Sequence, residues 1–331
     1  MIENTPILSI CIPTYNRAKF LYSCLASIFT QIDGNLNVEI IVSNNNSTDN
    51  TNEVIQEFTK NSNFRYYTQQ ENLGAIKNIL KLVNEYAKGD FCWIIGDDDF
   101  LLQGSLKAIL ELIASQKDKV DYFYASVNVF DISLYNNYNG RFDTTQYNNS
   151  VDINNFKYFN VGKFEELISP DYSVIFLGEL MASIFRRTIW MQYNGEFKGE
   201  YLETLETTYP HTVIFANTFF GKNAIYIESP LILALDGARE WWDKVSYIYI
   251  VHIKSLLDLY KEKGLSKAIL SKCYRLYFEL TFRFFLVLLL NPKHKYRNKV
   301  SLSKYFTFIL TNKISFITYI YNALLKRLKK N

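Results

Sequence analysis

The sequence predicts an α/β protein: a mostly parallel central sheet with flanking helices, followed by a helical C-terminal region. Three observations carry this expectation. Short apolar, β-branched runs alternate with helical patterns over the first 130 residues, which is the order of βαβ units. Three of those runs lead into polar clusters, and ligands of such sheets bind outside the carboxyl ends of the strands. From Tyr247 onward the apolar spacing is helical throughout.

Taken in order, Ile7–Ile12 is a strand ended by Pro13, and Phe20–Phe29 is a helix with Leu21, Leu25 and Ile28 on one face. Val38–Val42 is a second strand, closed by the Asn-rich turn Ser43–Asn50. Thr51–Thr59 is a helix and Phe64–Thr68 a third strand. Ile76–Tyr86 is an amphipathic helix with Gly89 as its stop. Phe91–Ile95 is a buried strand running into Asp97–Asp99, Leu101–Ser115 a helix, and Tyr122–Phe130 a strand. Asp131–Gly162, rich in Asn, Tyr and Asp, is a long excursion or a pair of irregular hairpins. Met181–Arg186 and Ala224–Ile232 are further strands, and His211–Phe220 is a helix stopped by Gly221. The last helices break near Gly264 and at Asn291–Pro292.

Composition narrows the class. Aromatic residues make up 16% and the net charge is only +3, which excludes disorder for most of the chain. No run of 18 uncharged apolar residues exists, so a conventional spanning helix is not expected. The N-terminus has no basic segment of a signal peptide. Four cysteines form no CxxC pair, which suits reduced thiols buried as small hydrophobes in a cytoplasmic protein. The net charge conceals a division. From Leu280 to the end there are eleven Lys and Arg and no Asp or Glu, while residues 1–279 hold 25 basic against 33 acidic residues. Such asymmetry calls for a partner or a surface.

The polar clusters carry the chemistry. Asp97, Asp98 and Asp99 repel one another, and a divalent cation with diphosphate oxygens would offset that. The plainer reading is a solvated acidic turn at the head of the next helix. In Pro13–Arg17, Tyr15 suits stacking on a base and Arg17 suits phosphate or a base edge; otherwise the segment is a helix start with Asn16 as cap. Asn44–Asp49 is an Asx-turn cluster, with Asp49 or Ser47 capping the following helix, or a set of amides for a nucleobase edge. There is no GxGxxG, no GxxxxGK[ST], no HExxH, no Cys/His cluster and no GxSxG. Nicotinamide Rossmann, P-loop, zinc-hydrolase and α/β-hydrolase chemistries are therefore not expected.

Four segments in order, ILSICIPTYNR, VEIIVSNNNSTDNT, ENLGAIKN and GDFCWIIGDDDFL, resemble the successive motifs of family 2 glycosyltransferases, of the bacterial branch that builds O-antigen, lipo-oligosaccharide or capsular glycans. The resemblance covers about the first 130 residues. It implies a GT-A fold, a nucleotide-sugar donor, a divalent metal (Mn²⁺ or Mg²⁺) and transfer with inversion. By the same likeness Pro13, Thr14, Tyr15 and Arg17 line the nucleotide pocket. Asn44 and Asn45 stand where the family more often has acidic residues gripping the base. Asn72 and Gly74 match an Asn-x-Gly turn, with Lys77 on the diphosphate side. Either Asp97 or Asp98 faces the ribose, and Asp98 or Asp99 the metal. The implied layout is a glycosyltransferase domain over 1–240, with a donor half at 1–130 and an acceptor half at 131–240, then a helical, basic region at 241–331.

The family places an acidic pair at the head of a helix in the second half, where this chain reads Pro210–His211. His211 is the first candidate for general base, since a histidine of ordinary pKa near 6.5 works at neutral pH. Glu206, Glu203 and Glu179, a carboxylate amid apolar residues, are the alternatives. The acceptor implied by the likeness is a glycan or lipid-linked glycan. The basic tail, with its aromatic and aliphatic residues, suits an anionic membrane surface on the inner face of the cytoplasmic membrane; nothing else in the chain supports nucleic acid. Core helices packed on the glycosyltransferase domain, with a solvated basic end, are the plainer reading. A catalytically silent nucleotide-sugar-binding scaffold is the rival function, and a nucleotidyltransferase ranks below it.

Overall fold

Seven consecutive buried residues make Val38–Asn44 a central strand, covered on both faces, whereas Phe64–Thr68 buries only its first residue and forms an edge. The computed structural model of the chain describes residues 5–32, 37–146, 150–238 and 244–328. The chain divides into two compact units. The first comprises Met1–Phe164, Glu179–Gly195 and Gly221–Ala238, and the second Glu165–Gly178, Glu196–Phe220 and Arg239–Asn331. The boundary expected between 240 and 241 lies outside the described residues.

The first unit carries a nine-stranded sheet. Its strands are β1 (Leu8–Thr14), β2 (Val38–Asn44), β3 (Phe64–Thr68), β4 (Phe91–Ile94), β5 (Asp99–Leu101), β6 (Tyr122–Asp131), β7 (Tyr158–Lys163), β8 (Ser183–Arg186) and β9 (Asn223–Asp236). They lie in the order β3-β2-β1-β4-β8-β6-β9-β5, with β7 also on β9. The helices are α1 (Ala18–Phe29), α2 (Thr51–Phe58), α3 (Ala75–Lys81), α4 (Ser105–Gln116) and two single turns, α5 (Ile132–Tyr135) and α6 (Arg187–Trp190). As expected, β1 to β4 are parallel to one another. Beyond β4 the sheet is mixed: β8 runs antiparallel to β4 and β6, and β9 pairs parallel with β6 but antiparallel with β5 and β7. A parallel neighbour needs a long crossover, usually helical. Among the described residues, the stretch after β6 offers only α5 and short 3₁₀ turns at Asn136–Tyr138, Thr144–Gln146 and Ile153–Asn155 before β7. The core clusters β1, β2 and β4 side chains with Leu21, Leu25 and Ile28 of α1 and Leu106, Ile109 and Ile113 of α4. All four cysteines are buried and unpaired.

The second unit is helical among its described residues: α7 (Leu205–Thr208), α8 (Pro210–Thr218), α9 (Val245–Tyr247), a π-helical turn at Ile248–His252, α10 (Ile253–Glu262), α11 (Lys267–Leu290), α12 (Leu302–Thr311) and α13 (Lys313–Leu328). Thr204 caps α7 by accepting from Thr207 N at 3.1 Å, and Pro210 opens α8, where its missing N–H costs nothing. Gly264, at φ +98°, follows α10 as a left-handed stop. Tyr305 stacks on Phe285 at 4.2 Å, and its hydroxyl lies 2.7 Å from Thr281 Oγ1. The inner sides of α11 and α12 therefore share an aromatic core. Among the described residues no helix is long and apolar enough to cross a membrane.

Candidate active site

Because β1 to β4 are parallel, their carboxyl ends share one edge of the sheet, and the predicted polar clusters meet there. The loop after β1 is tied to the loop after β2. Asn16 and Asn46 both take left-handed φ, of 53° and 64°, which asparagine tolerates better than most residues. Asn16 N donates to Ser47 Oγ at 2.8 Å, and Thr48 N donates to Asn16 Oδ1 at 2.7 Å. Asn16 thus bridges loops and does not cap α1. Asp49 caps instead: one oxygen accepts from Ala18 N at the head of α1, the other from Thr51 N and Oγ1 at the head of α2. Burial pushes its carboxyl up, but these hydrogen bonds outweigh that and hold it below the ordinary range. Tyr15 is exposed beside this knot, while Thr14 is buried and Pro13 half-buried.

Asn44 and Asn45, expected to offer amides to a base, are buried and engaged within the loops. Asn44 donates to Asn52 Oδ1 at 2.7 Å and accepts from Ser47 N at 2.9 Å. Asn45 donates to Asn72 Oδ1 at 2.8 Å and accepts from Leu73 N at 2.9 Å. Asn72 Oδ1 also accepts from Gly74 N. Asn45 and Asn72 thereby brace the turn before α3, where Gly74 at φ +80° supplies a conformation a side chain would strain. Lys77 is exposed in the first turn of α3.

Three carboxylates follow β4. Their repulsion was expected to require a cation; here Arg17 offsets it. Its Nε donates to Asp97 Oδ1 at 3.1 Å, its Nη2 to Asp98 Oδ2, and its Nη1 to the Ala238 carbonyl at 3.2 Å. Burial drives the Asp97 pKa up to about 7, with Asp98 adding to the rise and Arg17 opposing it. Asp99, the first residue of β5, accepts from Gly96 N at 3.1 Å. Gly96 has no side chain, and a Cβ there would stand 2.7 Å from Asp99 Oδ2 and 2.8 Å from Asp98 Oδ1. Two carboxylate oxygens therefore flank one small cradle that only glycine leaves open. Hard oxygens in that arrangement fit Mg²⁺ or Mn²⁺. Among the described residues no group of three or more His, Cys, Asp or Glu is placed to hold a metal. A cation here would complete its shell with substrate oxygens and water. Asp49 caps the helix that follows it, α2, as its place in the sequence leads one to expect. The roles of Gly96 and the Ala238 carbonyl were not read from the sequence; a carbonyl 221 residues from Arg17 left no signal there.

The base candidates separate. Glu179 belongs to the first unit. β8 runs antiparallel to β4 with Trp93 opposite Ile184, so the chain entering β8 lies by the carboxyl end of β4, on the edge of the aspartates. Trp93 Nε1 donates to the Met181 carbonyl at 2.7 Å, and the Tyr124 hydroxyl donates to Glu179 Oε2 at 2.7 Å. Glu206, half-buried in α7, Glu203 and His211 belong to the second unit. Glu203 is exposed and paired with Lys299 at 2.9 Å.

His211 is 5% exposed, and its Nε2 is buried with no hydrogen-bond partner among the described residues. Burial lowers its pKa to about 4, against the opposing pull of backbone hydrogen bonds to Gly178 and Leu177. This corrects the expectation of an ordinary histidine: at pH 7 it is neutral but a weak base. A consequence is testable. Between pH 6.5 and 4 the unfolded chain takes up this proton and the folded chain does not, so stability present above pH 6.5 is lost as pH falls towards 4. Urea unfolding of the wild type should lose up to about 3 kcal/mol more over that window than His211→Gln. Equal losses would mean that His211 is not held neutral.

The family model described as glycosyl transferase family 2 matches residues 9–188, more than half of the chain. Abequosyltransferase RfbV of Salmonella typhimurium is 30% identical over 271 residues, 77% of this chain and 76% of that protein. S. aureus TarS 1–349 in complex with UDP-GlcNAc superposes with a TM-score of 0.59 at 16% identity, covering 84% of this chain and 75% of that one. The mannosyltransferase PcManGT of Pyrobaculum calidifontis, in complex with GDP-Man and Mn²⁺, gives 0.51 at 14% identity, covering 98% and 88%. These likenesses show the GT-A fold, and the sequence matches show the lineage: the chain belongs to glycosyl transferase family 2 and is a glycosyltransferase.

Proposed function

We propose that the chain transfers a sugar from a nucleotide-sugar donor to a glycan or lipid-linked glycan acceptor in bacterial surface-polysaccharide assembly, in one inverting displacement. The observation that carries the reading is the edge of the parallel strands, where the loops after β1 and β2 are locked together and the carboxylates after β4 flank the Gly96 cradle. Tyr15 and the buried β1 and β2 loop ends receive the base, Asp97 the ribose, and Arg17 and Lys77 the diphosphate. Asp98 and Asp99 hold Mn²⁺ or Mg²⁺, which when bound offsets the charge of the diphosphate. Glu179 takes the proton of the acceptor hydroxyl as its oxygen bonds to the anomeric carbon and the bond to the nucleoside diphosphate breaks. The carboxylate's place on the aspartates' own sheet edge supports that choice over the buried, weakly basic His211.

The acceptor side of the proposal places the chain on the cytoplasmic face of a membrane, with its basic C-terminal region on anionic lipid. The transfer is tested with a panel of nucleotide sugars and Mn²⁺. One donor should raise the thermal midpoint and release nucleoside diphosphate when an acceptor extract is added. Donor binding without release under any acceptor would favour the silent scaffold, and no binding of any donor would overturn the reading.

A further inference from the structure

Within the second unit, α13 has two unlike sides. The inner one packs on α11: the Phe316 ring lies 5.1 Å from both Phe278 and Phe282, Tyr319 lies 5.9 Å from Phe282, and Ser315 Oγ is 3.3 Å from Ser271 Oγ. The outer one carries Ile314, Ile317, Tyr321 and Leu324, exposed by 75%, 63%, 60% and 54%. Steps of three, four and three residues put these four in one stripe along the helix. Just before it, Leu310 at the end of α12 is 73% exposed. A continuous apolar stripe open to water marks a surface that something covers.

Charge decides between the occupants. The segment from Leu280 onward holds eleven cations and no acid. A second copy laid on the stripe would bring two such segments together, like charge on like. An anionic bilayer complements the charge and the apolar stripe at once. The stripe is mostly aliphatic, whereas single-stranded nucleic acid is gripped by stacked aromatics. We propose that the outer stripe of α13 enters the interfacial layer of an anionic membrane, while cations of the same segment, exposed Lys313 beside Ile314 first among them, meet lipid phosphates. The inference rests on the membrane placement proposed above and assigns the face that makes it.

The test uses the full chain, vesicles of phosphatidylcholine alone or with phosphatidylglycerol, and flotation at low and high salt. The wild type should float with the anionic vesicles, keep part of that binding at high salt, and bind the neutral ones poorly. Ile314→Asp with Ile317→Asp, both on open positions, should keep the thermal midpoint and donor binding measured without vesicles. It should lose the salt-resistant fraction and partition about tenfold more weakly. If the variant floats like the wild type, attraction is by charge alone and the stripe has no such role. A wild type that does not float at low salt would remove both the stripe and the membrane placement. A wild-type dimer that the variant breaks, without vesicle binding, would show that a second copy covers the stripe. None of these outcomes depends on sugar transfer, so the glycosyl-transfer reading stands or falls separately.

Discussion

Asp98→Asn and Asp99→Asn should each lower turnover by about 10²–10³-fold, since one charged group that stabilises a developing anion is worth that much. Chelator should abolish wild-type turnover, and Mn²⁺ or Mg²⁺ should restore it. The two variants differ in what else they disturb. Asp98→Asn loosens one branch of the Arg17 fork, while Asp97 keeps Arg17 Nε at 3.1 Å. Asp99→Asn can still accept from Gly96 N through its amide oxygen, a bond now 3.1 Å long. Neither should unfold the protein, so thermal midpoints within a few degrees of wild type are expected with activity gone. A second readout avoids turnover: Mn²⁺ should tighten binding of the matching nucleoside diphosphate to the wild type and to neither variant. Full turnover in excess chelator would show that the aspartates act without a cation.

Gly96→Ala probes the same cradle from below. Its Cβ would stand 2.7 and 2.8 Å from the two carboxylate oxygens, closer than such atoms approach. That residue illustrates what a sequence can and cannot disclose. The apolar run Phe91–Ile95 and the three aspartates announced a strand ending in a carboxylate cluster, because strand periodicity and charge are written locally. The space above Gly96 depends on how two side chains turn back over the backbone, and nothing in the spelling GDDD records it. The parallel half of the sheet was likewise legible: each strand is a short apolar run and each connection a helix with its own spacing. The mixed half was not. Whether β9 lies beside β6 or β8 depends on pairings between residues about a hundred positions apart, such as Tyr122 with Ala224. The depressed pKa of His211 was not legible for a related reason. Its residue type suggested neutral-pH base chemistry, but the pKa is set by burial, and no neighbour in sequence signals it. Asn44 and Asn45 were recognised as loop amides; that Asn44 is held by Ser47 and Asn52 is local, whereas the engagement of Asn45 by the loop before α3 follows only from the third dimension.

Glu179→Gln should slow transfer by about 10²–10⁴-fold, the range spanned by a positioned general base, with donor binding unchanged. An acceptor hydroxyl is a poor nucleophile until its proton begins to leave, and the amide of glutamine cannot take it. The substitution keeps size and the oxygen that Tyr124 reaches, now at 2.7 Å, so packing is conserved while basicity is lost. Tyr124→Phe separates position from chemistry. It removes the hydroxyl that orients the carboxylate and should cost far less than Glu179→Gln. Glu179→Asp should recover only part of the rate, because shortening the side chain by one methylene withdraws the oxygen from its place. Glu206→Gln and His211→Ala, measured beside it, should leave transfer within about tenfold of wild type. The contrast is decisive in both directions. If His211→Ala is inactive and Glu179→Gln is not, Nε2 of His211 receives the proton; burial keeps that nitrogen neutral, and none of the described residues occupies it.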